Sequence, residues 1–483
     1  MDLLSYRTLG AEAPLSRRMP ERVLQFGDGN FLRGFVDDFI NQMNEKANFD
    51  SSVVIVPPAS TGKTGRINRQ DGLYQLYLRG RLNGQVVDQR RLIRCISRAL
   101  DVFTQWRELL DFVCSDELRF VICNTTEAGI VYDPDCRFDD CPPASFPAKL
   151  TRLLWQRWYA GKPGLILLPC ELIADNGTVL RDTVLRHAAD WALEEDFLHW
   201  LREENHFCNT LVDRIVTGYP AAQASRLNAE NGYEDALLDT AEPFGLWVIE
   251  GGEALSREFP AQQAGLPVKF VTDHHPYKEQ KVRILNGGHT SMVLAAYLAG
   301  HDIVRDCMED EAIRSYLEGA LFQEIIPTLS LPREDCETFA RAVEERFANP
   351  YIDHRLLDIS LNSVSKWRAR GLPSVTAYLE RTGRLPVRLT FSFAALCAFY
   401  TQGQRSGETY PVRDEAAVLE FFAAHAEDTS QMLITALAAQ ENFWGQNLNQ
   451  LPGFTAAAAA HLERIRRDGI AAAMDACRKE AVL

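Results

Sequence analysis

The sequence has no CxxC pair, no dense basic run and no apolar stretch approaching a membrane-spanning length. The first absence, with eleven cysteines scattered from Cys95 to Cys477, leaves neither a zinc framework nor an even set of disulfides, and a reducing cytoplasm is the expected setting. The second, set against a net charge of -15, excludes a nucleic-acid partner, because the chain repels phosphate and has no local patch to overcome that. The third excludes a membrane span, and the opening "MDLLSYRTLGAEAPLSRRMPER" lacks the basic start and apolar core of a signal peptide. Internal repeats and low-complexity linkers are also missing, apart from the alanine run Ala456 to Ala460.

What is present is the balance of a globular protein, with 46% hydrophobic and 24% charged residues over 483 positions, enough for two or three domains. "RVLQF" reads as a buried strand, "GDGN" as a tight turn, "FLRGFVDDFINQMNEK" as an amphipathic helix and "SSVVIV" as the next strand. Further strands at "LRFVICNTT" and "GLILLPCELI", separated by helices such as "PAKLTRLLWQRWYA", predict a mostly parallel sheet with helices on both faces. Beyond about residue 275 helical segments dominate, among them "HTSMVLAAYLAG" and "LTFSFAALCAFYTQ". The expected division is an α/β domain over 1–275 and an all-α domain over 276–483, joined near Pro276 in "FVTDHHPYKEQK".

In "QFGDGNFLRGF", Gly27 and Gly29 stand between a strand and a helix. Glycine there lets the backbone turn sharply and approach a pyrophosphate at the helix start. The third glycine of the dinucleotide fingerprint is replaced by Leu32, so the motif is incomplete, and a plain strand-to-helix turn is the alternative. No acidic residue for the ribose is evident after "SSVVIV", which runs into Pro57 and Pro58, while Lys63, Arg66 and Arg69 keep a 2′-phosphate in play. "STGKTG" imitates a phosphate-binding P-loop, but Pro57 stands where that motif needs glycine.

"KVRILNGGHT" places Lys281, Asn286 and His289 in an otherwise apolar segment. On an α-helix Asn286 lies about 140 degrees and His289 about 80 degrees around from Lys281, one broad face. Reducing a ketone requires a proton for the developing alkoxide and donors to its oxygen, which a lysine and an asparagine–histidine pair supply. A lowered lysine pKa is expected from partial burial and from Lys278 and Arg283, and Gly287 and Gly288 clear space beside the set for a substrate. A solvated helix start is the competing reading. His274, His275 and His289 have no complementary carboxylate spacing, so no metal site is expected.

These residues carry a resemblance. The KxxxxNxxH pattern and the blocks "NTTEAG", "FPAKLTRLL", "PCELI", "LVDRIVTGYP", "ANPYIDHRL" and "GETYPV" make the chain similar to the mannitol dehydrogenase family of polyol-specific long-chain dehydrogenases, most of all to its tagaturonate reductase branch. The resemblance implies a Rossmann-type doubly wound amino-terminal domain, a helical carboxy-terminal domain and metal-independent hydride transfer with NAD in the cleft between them. It implies Lys281 as general acid or base with Asn286 and His289 binding the reacting oxygen. Cofactor contacts are implied for Phe26, Gly27, Asp28, Gly29, Asn30, Phe31 and Arg33, and for Thr125 and Glu127 at the sheet's carboxyl edge.

Mannitol dehydrogenases have CDN where this chain has Cys170, Glu171 and Leu172, so the oxygen-binding role of that asparagine does not transfer. "PCELI" resembles the tagaturonate reductase branch and favours a sugar acid. Lys366, Arg368 and Arg370 are then the candidate cations for its carboxylate, Lys366 falling where mannitol dehydrogenases place a substrate-contacting arginine. The expectation is interconversion of D-tagaturonate and D-altronate, with fructuronate, a mannitol-type polyol or a non-catalytic NADH sensor as alternatives, and with the oligomeric state open.

Overall fold

A computed structural model describes residues 1–10, 19–57, 63–126 and 128–481. The end of the strand-following segment at Pro58, the first half of the P-loop-like "STGKTG" and Glu127 lie outside the described residues. The chain forms two compact units, Met1–Arg79 with Val86–His274, and Gly80–Gln85 with His275–Leu483.

The first unit is a Rossmann domain. Six parallel strands lie in the order Ile96–Ala99, Ser52–Val56, Glu21–Phe26, Phe120–Cys123, Ile166–Pro169, His206–Phe207. Numbered along the chain this is 3-2-1-4-5-6, the doubly wound order, which reverses between the first and fourth strands. The period-2 alternation of a strand divides the buried side chains between two cores. Val23, Val53, Ile55, Phe120, Ile122, Ile166 and Leu168 join one, with Phe35 and Phe39. Leu24, Phe26, Val54, Val56, Val121, Cys123 and Leu167 join the other, with Leu150, Leu153 and Leu154. Burial on both faces is why these strands are continuous apolar runs.

Two features depart from the sequence expectation. The single helix over 31–46 is two, Asn30–Gly34 and Val36–Lys46, because Phe35 leaves helical geometry (φ −128°, ψ −69°) and buries its ring beside Phe31, Phe39 and Trp247. The polar face of the second helix is not solvated. Asp37, Asp38, Asn41 and Gln42 are all buried, Asp38 pairing with Arg91 and, at 2.8 Å, with Arg214.

The second unit is helical. Helix Val387–Gln402 is buried from Arg388 to Tyr400 and packs between Gly287–Leu298 and Phe454–Asp468, as an apolar helix with no polar stripe must. The alanine run Ala456 to Ala460 lies inside the last of these helices. Gly80–Gln85 is a hairpin turn in which Asn83 and Gly84 have φ of 52° and 76°, the geometry that an Asn-Gly pair favours. Both backbone N–H groups of that pair donate to the Glu345 carboxylate, at 2.9 and 2.6 Å. Among the described residues no helix is long and apolar enough to cross a membrane.

Candidate active site

In the Rossmann unit the glycine turn separates two tasks. Gly27 (φ 126°) is confined by protein: a Cβ there would meet Leu32 Cδ1 at 2.8 Å and the Asn124 carbonyl at 3.0 Å, and its N–H donates to Val56 O. Gly29 is exposed and a Cβ on it would meet nothing within 4 Å, so the backbone is open to a ligand where a pyrophosphate would lie. Asn30 is exposed beside it, and Phe31 stacks on Phe35. Asp28 is buried. Arg33 is also buried, its guanidinium donating to Leu237 O, Asp28 O and Asn30 Oδ1, with Asp239 at 3.7 Å, so its visible work is to hold the turn.

Phe26, packed on Phe146, opens onto a cavity of about 460 Å³ at the carboxyl ends of the strands, with Val56, Pro57, Thr125 and Lys149 in its wall. Lys149 is buried, donates to Ala144 O, and is pushed below the usual lysine range by that burial. The loop after the fourth strand is held by a residue that sequence reasoning missed. Glu171 accepts from Thr125 N and Oγ1 through one oxygen at 2.8 and 3.0 Å, and the Asn124 amide donates to Cys170 O. Burial raises the Glu171 carboxyl, opposed by those hydrogen bonds. "PCELI" therefore braces the "NTT" loop, while Leu172 points outward, 65% exposed.

In the helical unit, residues Lys281–Asn286 form a π-helix between His275–Gln280 and Gly287–Leu298. This corrects the α-helical spacing assumed from sequence. A π-turn bonds residue i to i+5, so Asn286 comes round over Lys281 rather than far around the axis, and His289, three residues on in α-helix, continues the same line. Arg283 is directed elsewhere, buried and bonded to Ser374, Thr328 and Glu279. The space beside Gly287 and Gly288 is filled by protein rather than left for a ligand: a Cβ on Gly287 would face Arg370 O at 3.5 Å, and one on Gly288 would face Leu321 at 3.3 Å and Phe347 at 3.7 Å.

His289 stacks face to face on Phe347 (centroids 4.0 Å, 16°) and meets His354 edge-on at 5.3 Å. Its Nε2 is buried without a hydrogen-bond partner among the described residues. Burial, then the neighbouring His354, Arg346, Arg370 and Lys366, hold it well below the usual imidazole range, so it is neutral at pH 7. Lys366 is half-buried with Nζ on Ile359 O at 2.8 Å, and burial followed by Arg370 lowers its pKa. Arg370 reaches Thr290 Oγ1 at 3.3 Å. Arg368 lies off this group, exposed and with its guanidinium against Gly445. Phe347, His354 and Arg346 were missed as partners of His289; of the three, only His354 falls inside the block "ANPYIDHRL". In the Rossmann unit, Glu250, Asp273 and His274 bring potential ligand atoms within 4.8 Å of one another, and His274 Nδ1 is 2.6 Å from Glu250.

Residues 21–261 match the mannitol dehydrogenase Rossmann domain and residues 273–466 the mannitol dehydrogenase C-terminal domain. The chain belongs to the mannitol dehydrogenase family. Members are oxidoreductases acting on CH–OH groups, and so is this one. Among relatives, altronate oxidoreductase of Escherichia coli (strain K12) is 47% identical over 463 residues, 93% of this chain and 95% of that one. Of solved structures, mannitol 2-dehydrogenase of Pseudomonas fluorescens, in a ternary complex with NAD and D-mannitol, shares the fold with TM-score 0.69 and 25% identity over 99% of this chain and 100% of that one. Substrate-free D-sorbitol dehydrogenase aligns with TM-score 0.84 at 23% identity over 98% and 100%. The mannitol dehydrogenase family's glycine turn, strand order and open Gly29 fit a dinucleotide in this chain.

Proposed function

We propose that this mannitol dehydrogenase family member interconverts D-tagaturonate and D-altronate with NAD. The observation that carries the reading is the 47% identity to altronate oxidoreductase across nearly the whole of both chains. The nicotinamide would supply or accept the hydride; Gly27, Gly29, Asn30, Phe26 and Thr125 are the residues proposed to hold the dinucleotide, with Glu127 assigned by resemblance alone.

In the reducing direction Lys281 donates a proton to the alkoxide oxygen as it forms, and Asn286 and His289 hold that oxygen. The split of roles is supported by chemistry. A histidine kept neutral by burial among cations is a poor proton reservoir but a good hydrogen-bond partner, which leaves the proton to Lys281. The cations around His289, namely Arg346, Arg370 and Lys366, favour a carboxylate-bearing sugar over a neutral one, and Arg370 and Lys366 are proposed to bind it. Arg368, turned toward Gly445, is the weakest member of the proposed substrate set. A reducing cytoplasm is the proposed compartment, supported by eleven unpaired cysteines, most of them buried.

The test is loss of NADH absorbance with purified protein and a panel of tagaturonate, fructuronate and fructose. Tagaturonate should be the preferred substrate. Faster turnover of fructuronate or fructose would overturn the substrate while keeping the reaction class, and NADH binding with no turnover on any of them would favour a sensor.

A further inference from the structure

The helical unit contains a second cavity, of about 670 Å³, lined by none of the Lys281 set. Four cations, Arg341, Arg388, Arg478 and Lys479, face it with only two carboxylates, Glu318 and Asp475. With Glu324 and Glu344 paired to Arg388 and Arg341 the cluster is close to neutral, so the cations are concentrated here within a chain of net charge -15.

Arg388 is the built part of the site. It is 4% exposed, and its Nε is buried with no hydrogen-bond partner among the described residues. Nη1 reaches Gln323 at 3.0 Å and Glu324 at 3.3 Å, while Nη2 has no partner among the described residues. Glu324 only partly compensates it, because its two oxygens also cap the backbone N–H groups of Arg388 and Leu389 at 2.9 Å. Gly319 makes the placement possible: a Cβ there would lie 2.2 Å from Nε and 2.6 Å from Nη2. A buried guanidinium with unused donors is costly unless an acceptor completes it. Arg341, laid over the Phe322 ring at 4.2 Å and bonded to Glu344, and Arg478, bonded to Asp475 at 3.0 Å, stand at the cavity with further donors to spare.

We infer that this cavity binds a phosphate-class dianion, inorganic phosphate or a small phosphomonoester. Three guanidiniums and an ammonium offer more donors than a single carboxylate takes, and suit a tetrahedral group with several terminal oxygens.

The experiment is calorimetric titration of the full-length protein with inorganic phosphate, then with glycerol 3-phosphate, at constant ionic strength set with chloride. Saturating NADH is kept present so that the dinucleotide site is filled. The expected result is saturable binding weakened at least about tenfold in Arg341→Ala, at an exposed position, and in Arg478→Ala, at a partly exposed one, both leaving Arg388 in place. Arg333→Ala, on the helix of Arg341 but outside the cavity, should bind as the parent does. Tighter binding of glycerol 3-phosphate would identify an esterified ligand, and binding of phosphate alone the free ion; both support the site. Absence of saturable binding by either compound, or binding unchanged in both cavity variants, overturns it.

Discussion

His289 has no charge of its own at pH 7, yet it lies among three cations, and that contrast defines the proposed substrate pocket. If Arg370 and Lys366 grip a carboxylate, each replacement by alanine should raise the KM for tagaturonate about tenfold to a hundredfold, the worth of a charge-assisted hydrogen bond. The kcat/KM for a neutral ketose such as fructose should stay nearly unchanged. Equal losses on both substrates would show these residues to be structural. Lys281, Asn286 and His289 stand out in the sequence as a proposed set because they are close together and match a family pattern. Phe347, His354 and Arg346 were not, since only tertiary packing brings their segment against His289.

At the scale of the element, the five-residue spacing from Lys281 to Asn286 makes sense only once the turn is a π-helix. No residue type marks such a turn, so α-helical geometry was the default and placed Asn286 wrongly around the axis. The paired glycines that follow also have different roles from the one expected. Gly287 has ordinary clearance, so Gly287→Ala should stabilise the protein by about 0.5–1 kcal/mol through helix propensity. Gly288 is tight against Leu321 and Phe347, and Gly288→Val should cost about 1–3 kcal/mol by overpacking while disturbing the ring on which His289 stacks. Urea unfolding midpoints, with KM for the second variant, check both. The strand runs were legible because burial on both faces makes them continuously apolar; the break at Phe35 was not, since it serves ring packing against the distant Trp247.

At the scale of the molecule, the Rossmann unit buries carboxylates that a helical-wheel reading would leave in water. Burial raises Asp37 to about 7 against the partial relief of Arg33, Gln25 and Tyr74, and raises Asp239 to about 7 likewise. A carboxyl with a raised folded pKa contributes stability that is present at low pH and lost as pH rises through about 7. Asp37→Asn keeps the neutral form at every pH. Its stability relative to the parent should therefore climb by up to about 1.4 kcal/mol per pH unit between about pH 5 and 7, then level off. A flat difference in denaturation free energy across that range would mean that Asp37 titrates as an ordinary acid.

The central claim is that Lys281 moves the proton in a reaction whose cofactor is held elsewhere in the chain. Its most direct test is the kcat of Lys281→Ala for tagaturonate reduction, measured beside an NADH fluorescence titration of the same variant. The account predicts a fall in kcat of about 10²–10⁴-fold with the NADH dissociation constant within about threefold of the parent. An unchanged kcat, or a loss of turnover fully explained by lost NADH binding, would contradict it.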